Sequence, residues 1–235
     1  MTTMINELQE LLKELGIKTP PDRIKVSEKS SLIEFLKQEK SFRQEWKIKR
    51  LIANSGIRLA QVRTFDQFDW SFNPKLPKED ILAFKNSSWI EQAANLLLIG
   101  DAGLGKSHLA KAFCYEAILT GFPAIFITAF DLISKLKRAP RIDSRIEYFG
   151  NSIRVLAIDE LGYTYHAKED GDLLFQIISK RSEKLPTILT SNLAPKQWGS
   201  LFSGPAASAI LDRLSFNGKF ITMEGKSYRM KMKRN

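Results

Sequence analysis

Eight consecutive residues, Gly100-Asp101-Ala102-Gly103-Leu104-Gly105-Lys106-Ser107, constrain this 235-residue chain more than any other feature. Glycines stand at the first and sixth places of the run, and a lysine and a hydroxyl follow at once. That spacing suits one task. Glycines let successive backbone N–H groups turn inward around a phosphate, and the helix that follows adds its positive dipole end. Lys106 is placed to neutralise β- and γ-phosphate charge, and the Ser107 hydroxyl to ligate Mg²⁺. A glycine turn of purely structural use would need neither. The flanks agree, with the apolar run Leu96-Leu-Leu-Ile99 before the loop and helical spacing after it. Residues 100–107, with His108 behind them, are expected to hold a nucleoside triphosphate. No Asn-Lys-x-Asp guanine reader occurs in the chain, so ATP is favoured over GTP.

A loop of this kind needs a strand–loop–helix unit, and the rest of the chain supplies more of the same. Short apolar runs alternate with helical patterns, as in a parallel sheet covered on both faces by helices. Strands are expected at 95–99, 123–128, 153–158, 186–190 and 219–223, and helices at 79–93, 106–119, 130–138, 170–183 and 206–213. The fold class is then α/β, a P-loop three-layer α/β/α arrangement around a mostly parallel five-stranded sheet. Ahead of it, Met4, Ile5, Leu8, Leu11, Leu12 and Leu15 recur at helical spacing before Gly16. A second helix is expected from about Ser30 to Asn54. Residues 1–63 read as a small, basic, helical region, and 64–235 as the nucleotide-binding domain. The N-terminal leucine stripe suits either packing within its own bundle or docking a partner helix.

Val155-Leu-Ala-Ile-Asp159-Glu160 ends an apolar strand in two acids, 53 residues beyond Lys106. A buried strand would deliver Asp159 to its carboxyl end, where it can help hold Mg²⁺. Glu160 can then orient and polarise an attacking water. Such a pair favours hydrolysis over transfer to a small molecule. Asn192, at the tip of Leu189-Thr-Ser-Asn192, is a candidate for sensing that water or the γ-phosphate; the alternative is a turn asparagine. Arg213 on an apolar helical stretch suits an arginine finger acting on a neighbouring copy, or else a salt bridge, with Asp212 the nearest acid. Arg229 is a candidate sensor within the same chain, or part of a solvated basic tail.

Charge enters where partners are considered. Lys and Arg number 36 against 26 acids, a net charge of +10, which favours polyanionic partners, nucleic acid first. A single cysteine, Cys114, excludes an intrachain disulfide and reads as a small core residue. Two histidines, His108 and His166, with one cysteine cannot build a zinc cluster of ordinary spacing. No apolar run approaches a membrane span, so a cytoplasmic protein with no membrane partner is expected.

These motifs together resemble one family. The loop followed by His108-Leu-Ala, the run Asp159-Glu-Leu-Gly-Tyr163, Leu189-Thr-Ser-Asn-Leu193 with Trp198, Ala209-Ile-Leu-Asp-Arg-Leu214 and Gly225-Lys-Ser-Tyr-Arg229 are similar to the IstB-like ATPases. These are helpers of insertion-sequence transposition, related to DnaC-type helicase loaders of the AAA+ class. The likeness runs from about Phe65 to Arg229, and it places Thr64-Phe-Asp-Gln-Phe-Asp69 near the adenine. It implies Mg²⁺-dependent ATP hydrolysis, ATP between protomers of a homo-oligomer, assembly on duplex DNA, and little or no C-terminal lid. It implies a transposase as partner, or alternatively a replicative helicase. It also points to Lys135, Lys137, Arg138, Arg141 and Arg145 as phosphate contacts on DNA, with a solvated helix face as the alternative. Tyr148 and Phe149 nearby suit either base stacking or the core. The chain departs from the family pattern at Asp101-Ala102, in place of two prolines, and at Ser215-Phe216-Asn217, in place of a histidine-containing stretch. Two readings of other classes stay open: a P-loop small-molecule kinase, and a DNA-binding scaffold for which ATP is only an assembly ligand.

Overall fold

The computed structural model describes residues 2–58, 60, 62–162, 168–202 and 204–232. The chain separates into two compact units, Met1–Arg50 and Leu51–Asn235. In the first, α1 (Thr2–Glu14) packs against the first half of α2 (Lys29–Asn54). Leu8, Leu11 and Leu12 meet Ile33 and Leu36 in a small buried cluster, so the leucine stripe is spent within its own unit. Lys37 pairs with Glu7 at 2.5 Å and Lys40 with Glu14 at 2.6 Å, while Arg43 donates to the Leu15 carbonyl. Contacts advance together along both helices, so the two run in the same direction.

In the second unit, which opens with the last turn of α2, two short helices follow, α3 (Lys78–Leu82) and α4 (Ser88–Glu91), where the sequence predicts one helix over 79–93. The interruption has a local cause. Ser88 Oγ donates to Asn86 Oδ1 at 2.6 Å, the kind of side-chain bond by which Asn and Ser compete with helical pairing. Ala93 then adopts φ +52°, which ends the second helix.

The remainder follows the expected alternation. In chain order come β1 (Asn95–Gly100), α5 (Lys106–Leu119), β2 (Ala124–Thr128), α6 (Ala129–Lys137), α7 (Ile142–Glu147), β3 (Val155–Leu161), α8 (Lys168–Arg181), β4 (Thr187–Ser191), α9 (Gly204–Ser215), β5 (Gly218–Met223) and α10 (Tyr228–Met232). All four strand pairings are parallel, in the order β2-β3-β4-β1-β5. Leu96, Leu97, Leu98, Leu156 and Ile158 are fully buried, as strands covered on both faces must be. Phe149, Trp198 and Ile210 join the main core, and Tyr148 packs half-buried against it. Cys114 is buried in α5, and burial pushes its thiol pKa up. Among the described residues no helix is long and apolar enough to cross a membrane.

One buried cation escapes the sequence reading. Arg181, 1% exposed, donates through Nε to Thr187 Oγ1, through one terminal nitrogen to the carbonyls of Phe149 and Ile153, and through the other to those of Arg154 and Pro186. All five of its donors are used, and the starts of β3 and β4 are tied to the end of α8. Nothing in its local sequence marks it.

Candidate functional site

β4 lies between β1 and β3, so the carboxyl ends of these three strands meet on one side of the sheet. Ligands of open parallel sheets bind at such ends. β1 delivers the glycine-rich loop, β3 the two acids, and β4 the tip Thr190–Asn192.

The loop is shaped by its neighbours as well as by its glycines. Gly105 caps α5 in the left-handed region, at φ +96°, and a Cβ there would lie 2.4 Å from the Phe68 ring. Phe68 is held in that place by its own segment. Phe65 packs edge-on against Phe113 of α5 at 4.8 Å, and the Thr64 carbonyl meets His108 Nε2 at 2.8 Å. His108 in turn stands edge-on to Phe68 at 5.2 Å. Desolvation lowers the His108 pKa from 6.5 against the opposing effect of the Thr64 bond, so its imidazole is neutral near pH 7. Lys106 is buried, and Nζ donates to the Gly100 and Asp101 carbonyls at 2.6 and 2.7 Å. Burial lowers its pKa, while Asp159 and Asp101 act in the opposite sense. Leu104 is buried behind the loop, and Ala102 and Gly103 face the cleft.

The acids sit on a bulge. Ile158 pairs with Leu189 and Leu161 with Ser191, so Asp159 and Glu160 together face the single residue Thr190. Bulges of this kind re-aim a side chain and occur beside active sites. Glu160 takes φ +62° and is exposed, whereas Asp159 is 4% exposed. Asp159 Oδ1 accepts from Ser107 Oγ at 2.9 Å and from Thr190 Oγ1 at 2.5 Å, and Thr190 Oγ1 accepts from the Glu160 amide. A hydroxyl and a carboxylate at this separation are hard oxygen donors that fit Mg²⁺, which commonly completes its shell with phosphate and water.

A cleft of about 290 Å³ joins these parts. The loop, Lys106, Ser107, Glu160 and Thr190 line it together with the apolar side chains of Phe68, Phe72, Leu76 and Tyr228, and Arg229 lines it as well. Polar groups for phosphate and apolar side chains for a base thus share one space, as a nucleotide requires.

The remaining candidates lie elsewhere. Asn192 follows β4 outside the cleft lining, packed near Gly162, and its buried Oδ1 has no hydrogen-bond partner among the described residues. Thr190, two residues earlier, reaches the cleft instead; a β-branched hydroxyl at the end of a buried strand was the available signal. Arg213, on α9, stacks its guanidinium over Phe175 at 4.6 Å and donates to the Ala209 carbonyl. Lys135, Lys137, Arg138, Arg141 and Arg145 are all exposed, on or beside α6 and α7. Lys137 is committed to Asp170 at 2.5 Å, and Arg145 lies over the Tyr148 ring. Tyr163 and His166 lie outside the described residues.

A family model described as IstB-like ATP binding protein matches residues 4–235. The chain is 39% identical over 170 residues to the ATP-binding protein of insertion sequence IS232 from Bacillus thuringiensis subsp. berliner, covering 71% of this chain and 68% of that one. It is 35% identical over 213 residues to the ATP-binding protein of insertion sequence IS5376 from Geobacillus stearothermophilus, covering 89% and 84%. The fold is similar to the crystal structure of the DnaC helicase loader, with a TM-score of 0.53 at 23% identity over 62% of this chain and 87% of that one.

Proposed function

The chain belongs to the IstB-like ATP-binding proteins, and from that premise we propose that it is a Mg²⁺-dependent ATPase that assembles on duplex DNA and assists a transposase. One observation carries the catalytic part of this reading. The bulge at the end of β3 turns Glu160 into the cleft that Lys106 lines while leaving Asp159 on Ser107.

In this reading the loop amides and Lys106 bind the phosphates. Ser107 and Asp159 would hold Mg²⁺, whose charge would offset that of the β- and γ-oxygens. Glu160, free to face the cleft, orients water for attack on the γ-phosphorus. Arg229, which also lines the cleft, adds a second cation. Arg213 is directed elsewhere in its own chain, which suits a role toward a neighbouring copy's nucleotide. Asn192 directly follows β4, two residues beyond Thr190, the position proposed for a residue that senses the attacking water.

The names of the two relatives, both ATP-binding proteins of insertion sequences, favour a transposase over a replicative helicase. The exposed cations of α6 and α7 and the net charge of +10 support contact with DNA phosphates. The basic helical region 1–63 is the proposed partner-facing part.

Released phosphate and duplex binding measured on the wild type, Lys106→Ala and Glu160→Gln test the whole. Lys106→Ala should lose ATP binding. Glu160→Gln should bind ATP, lose turnover by about a hundredfold or more, and stay on DNA. A phosphorylated small-molecule product in place of free phosphate would move the protein to the kinases. Unchanged behaviour of Glu160→Gln would leave only an ATP-gated scaffold.

A further inference from the structure

Arg229 reaches the cleft from α10, a helix of five residues that follows the irregular stretch 224–227. So short a helix does not hold itself in place. What holds it comes from 153 residues away in sequence. Asn73 Nδ2 donates to the Lys226 carbonyl at 2.9 Å, and the Lys226 amide donates to Asn73 Oδ1 at 2.9 Å. The carboxamide thus reproduces the two-way pairing of a backbone ladder, and its residue is only 6% exposed. Aspartate has no donor for this, serine is too short, and glutamine is a methylene too long.

The packing around the pair is equally close. A Cβ at Gly225 would lie 2.4 Å from Asn73 Oδ1, so the turn approaches the carboxamide to a distance that no side chain would permit. Two residues after Lys226, the Tyr228 amide donates to the Gly103 carbonyl at 2.9 Å, and Ser227 Oγ occupies the place that a Cβ on Gly103 would take. The ring of Phe72, next to Asn73, stands edge-on to that of Tyr228 at 5.0 Å. The arm that carries Arg229 is therefore tied twice, once to the cleft wall through Asn73 and once to the phosphate loop through Gly103.

We infer that Asn73 is a positioning residue of the nucleotide site, acting through the turn at Lys226 to set the reach of Arg229 toward the bound phosphates. The inference rests on the nucleotide reading given above. Because the second tie is to the loop itself, the position of the arm depends on the loop as well as on Asn73.

The test is titration of the full chain with a fluorescent ATP analogue and Mg²⁺, for the wild type, Asn73→Ala, Arg229→Ala, the double variant and Lys106→Ala. Asn73→Ala should weaken ATP binding by about tenfold. In the Arg229→Ala background the same change should add little, because the group it positions has gone. Gly225→Ala, which presses on the carboxamide from the other side, should reproduce the loss and carries the test if Asn73→Ala does not fold cooperatively. Affinity within about twofold of wild type for Asn73→Ala and Gly225→Ala, or fully additive losses in the double variant, overturns the inference. If Lys106→Ala abolishes binding while those variants do not, only the role of Asn73 falls. If the wild type itself binds no ATP, the nucleotide reading falls with it.

Discussion

Thr190 Oγ1 bridges the two acidic residues near the end of β3, donating to the Asp159 carboxylate at 2.5 Å and accepting from the backbone amide of Glu160 at 3.0 Å. One hydroxyl on β4 thus holds both arms of a bulge on β3. The first arm keeps Asp159 against Ser107, and the second secures the left-handed backbone that turns Glu160 into the cleft.

Replacing Thr190 by valine keeps the shape and removes both bonds. Turnover should fall by roughly ten- to a hundredfold, the range expected when a positioned base is lost in part, with ATP affinity changed by only about threefold or less. Thr190→Ser should stay near wild type. Steady-state phosphate release beside ATP titration decides it, and a valine variant of full activity would show that the bulge holds without the hydroxyl.

Arg181→Leu removes the guanidinium from four carbonyls and the Thr187 hydroxyl, mostly in the core; of these the Pro186 carbonyl keeps a second donor, the Leu156 amide at 3.5 Å. Unsatisfied buried acceptors of this kind cost about 1–3 kcal/mol each when water cannot reach them, so a loss of at least about 3 kcal/mol is expected in urea unfolding. Arg181→Lys should rescue little, since an ammonium offers three donors from one point in place of a five-donor fork. A midpoint unchanged in either variant contradicts this account.

For DNA, the individual cations should differ. Arg141→Ala and Arg145→Ala should each reduce the salt slope of duplex binding by about one. Lys137→Ala should reduce it less, because Asp170 already neutralises that side chain. Anisotropy titrations across a salt series measure the slopes, and equal effects from all three would mean that the ion pair opens on binding.

His108 links stability to pH. Its folded pKa lies below 6.5 because desolvation dominates. As pH falls through 6.5 the unfolded chain takes up a proton that the folded chain still refuses, so stability drops, and the drop ends once pH passes the lowered folded value. Urea midpoints at several pH values between 7.5 and 5 should therefore fall more for the wild type than for His108→Gln. Parallel curves would remove His108 from the account.

Much of the fold was legible because its signals are local. Fully buried parallel strands are uninterrupted apolar runs, so all five fall within a few residues of where the sequence places them. α5 spans the residues expected of it, since the loop motif sets its start at Lys106 and the turn at Thr120-Gly121 sets its end. The helix over 79–93 failed for the complementary reason. Apolar spacing continued through it while Asn86 and Ser88 bonded to each other.

By itself, then, the sequence determined the phosphate loop, the order of strands and helices along the chain, and the acids that end β3, because each depends on residues adjacent along the backbone. Tertiary structure alone decided which hydroxyl stands between those acids, which guanidinium closes the core, and which carboxamide holds the arm of Arg229. Each of those contacts joins residues brought together by the path of the chain, and a side chain able to donate or accept leaves no trace in its own neighbourhood of the partner that folding will place beside it.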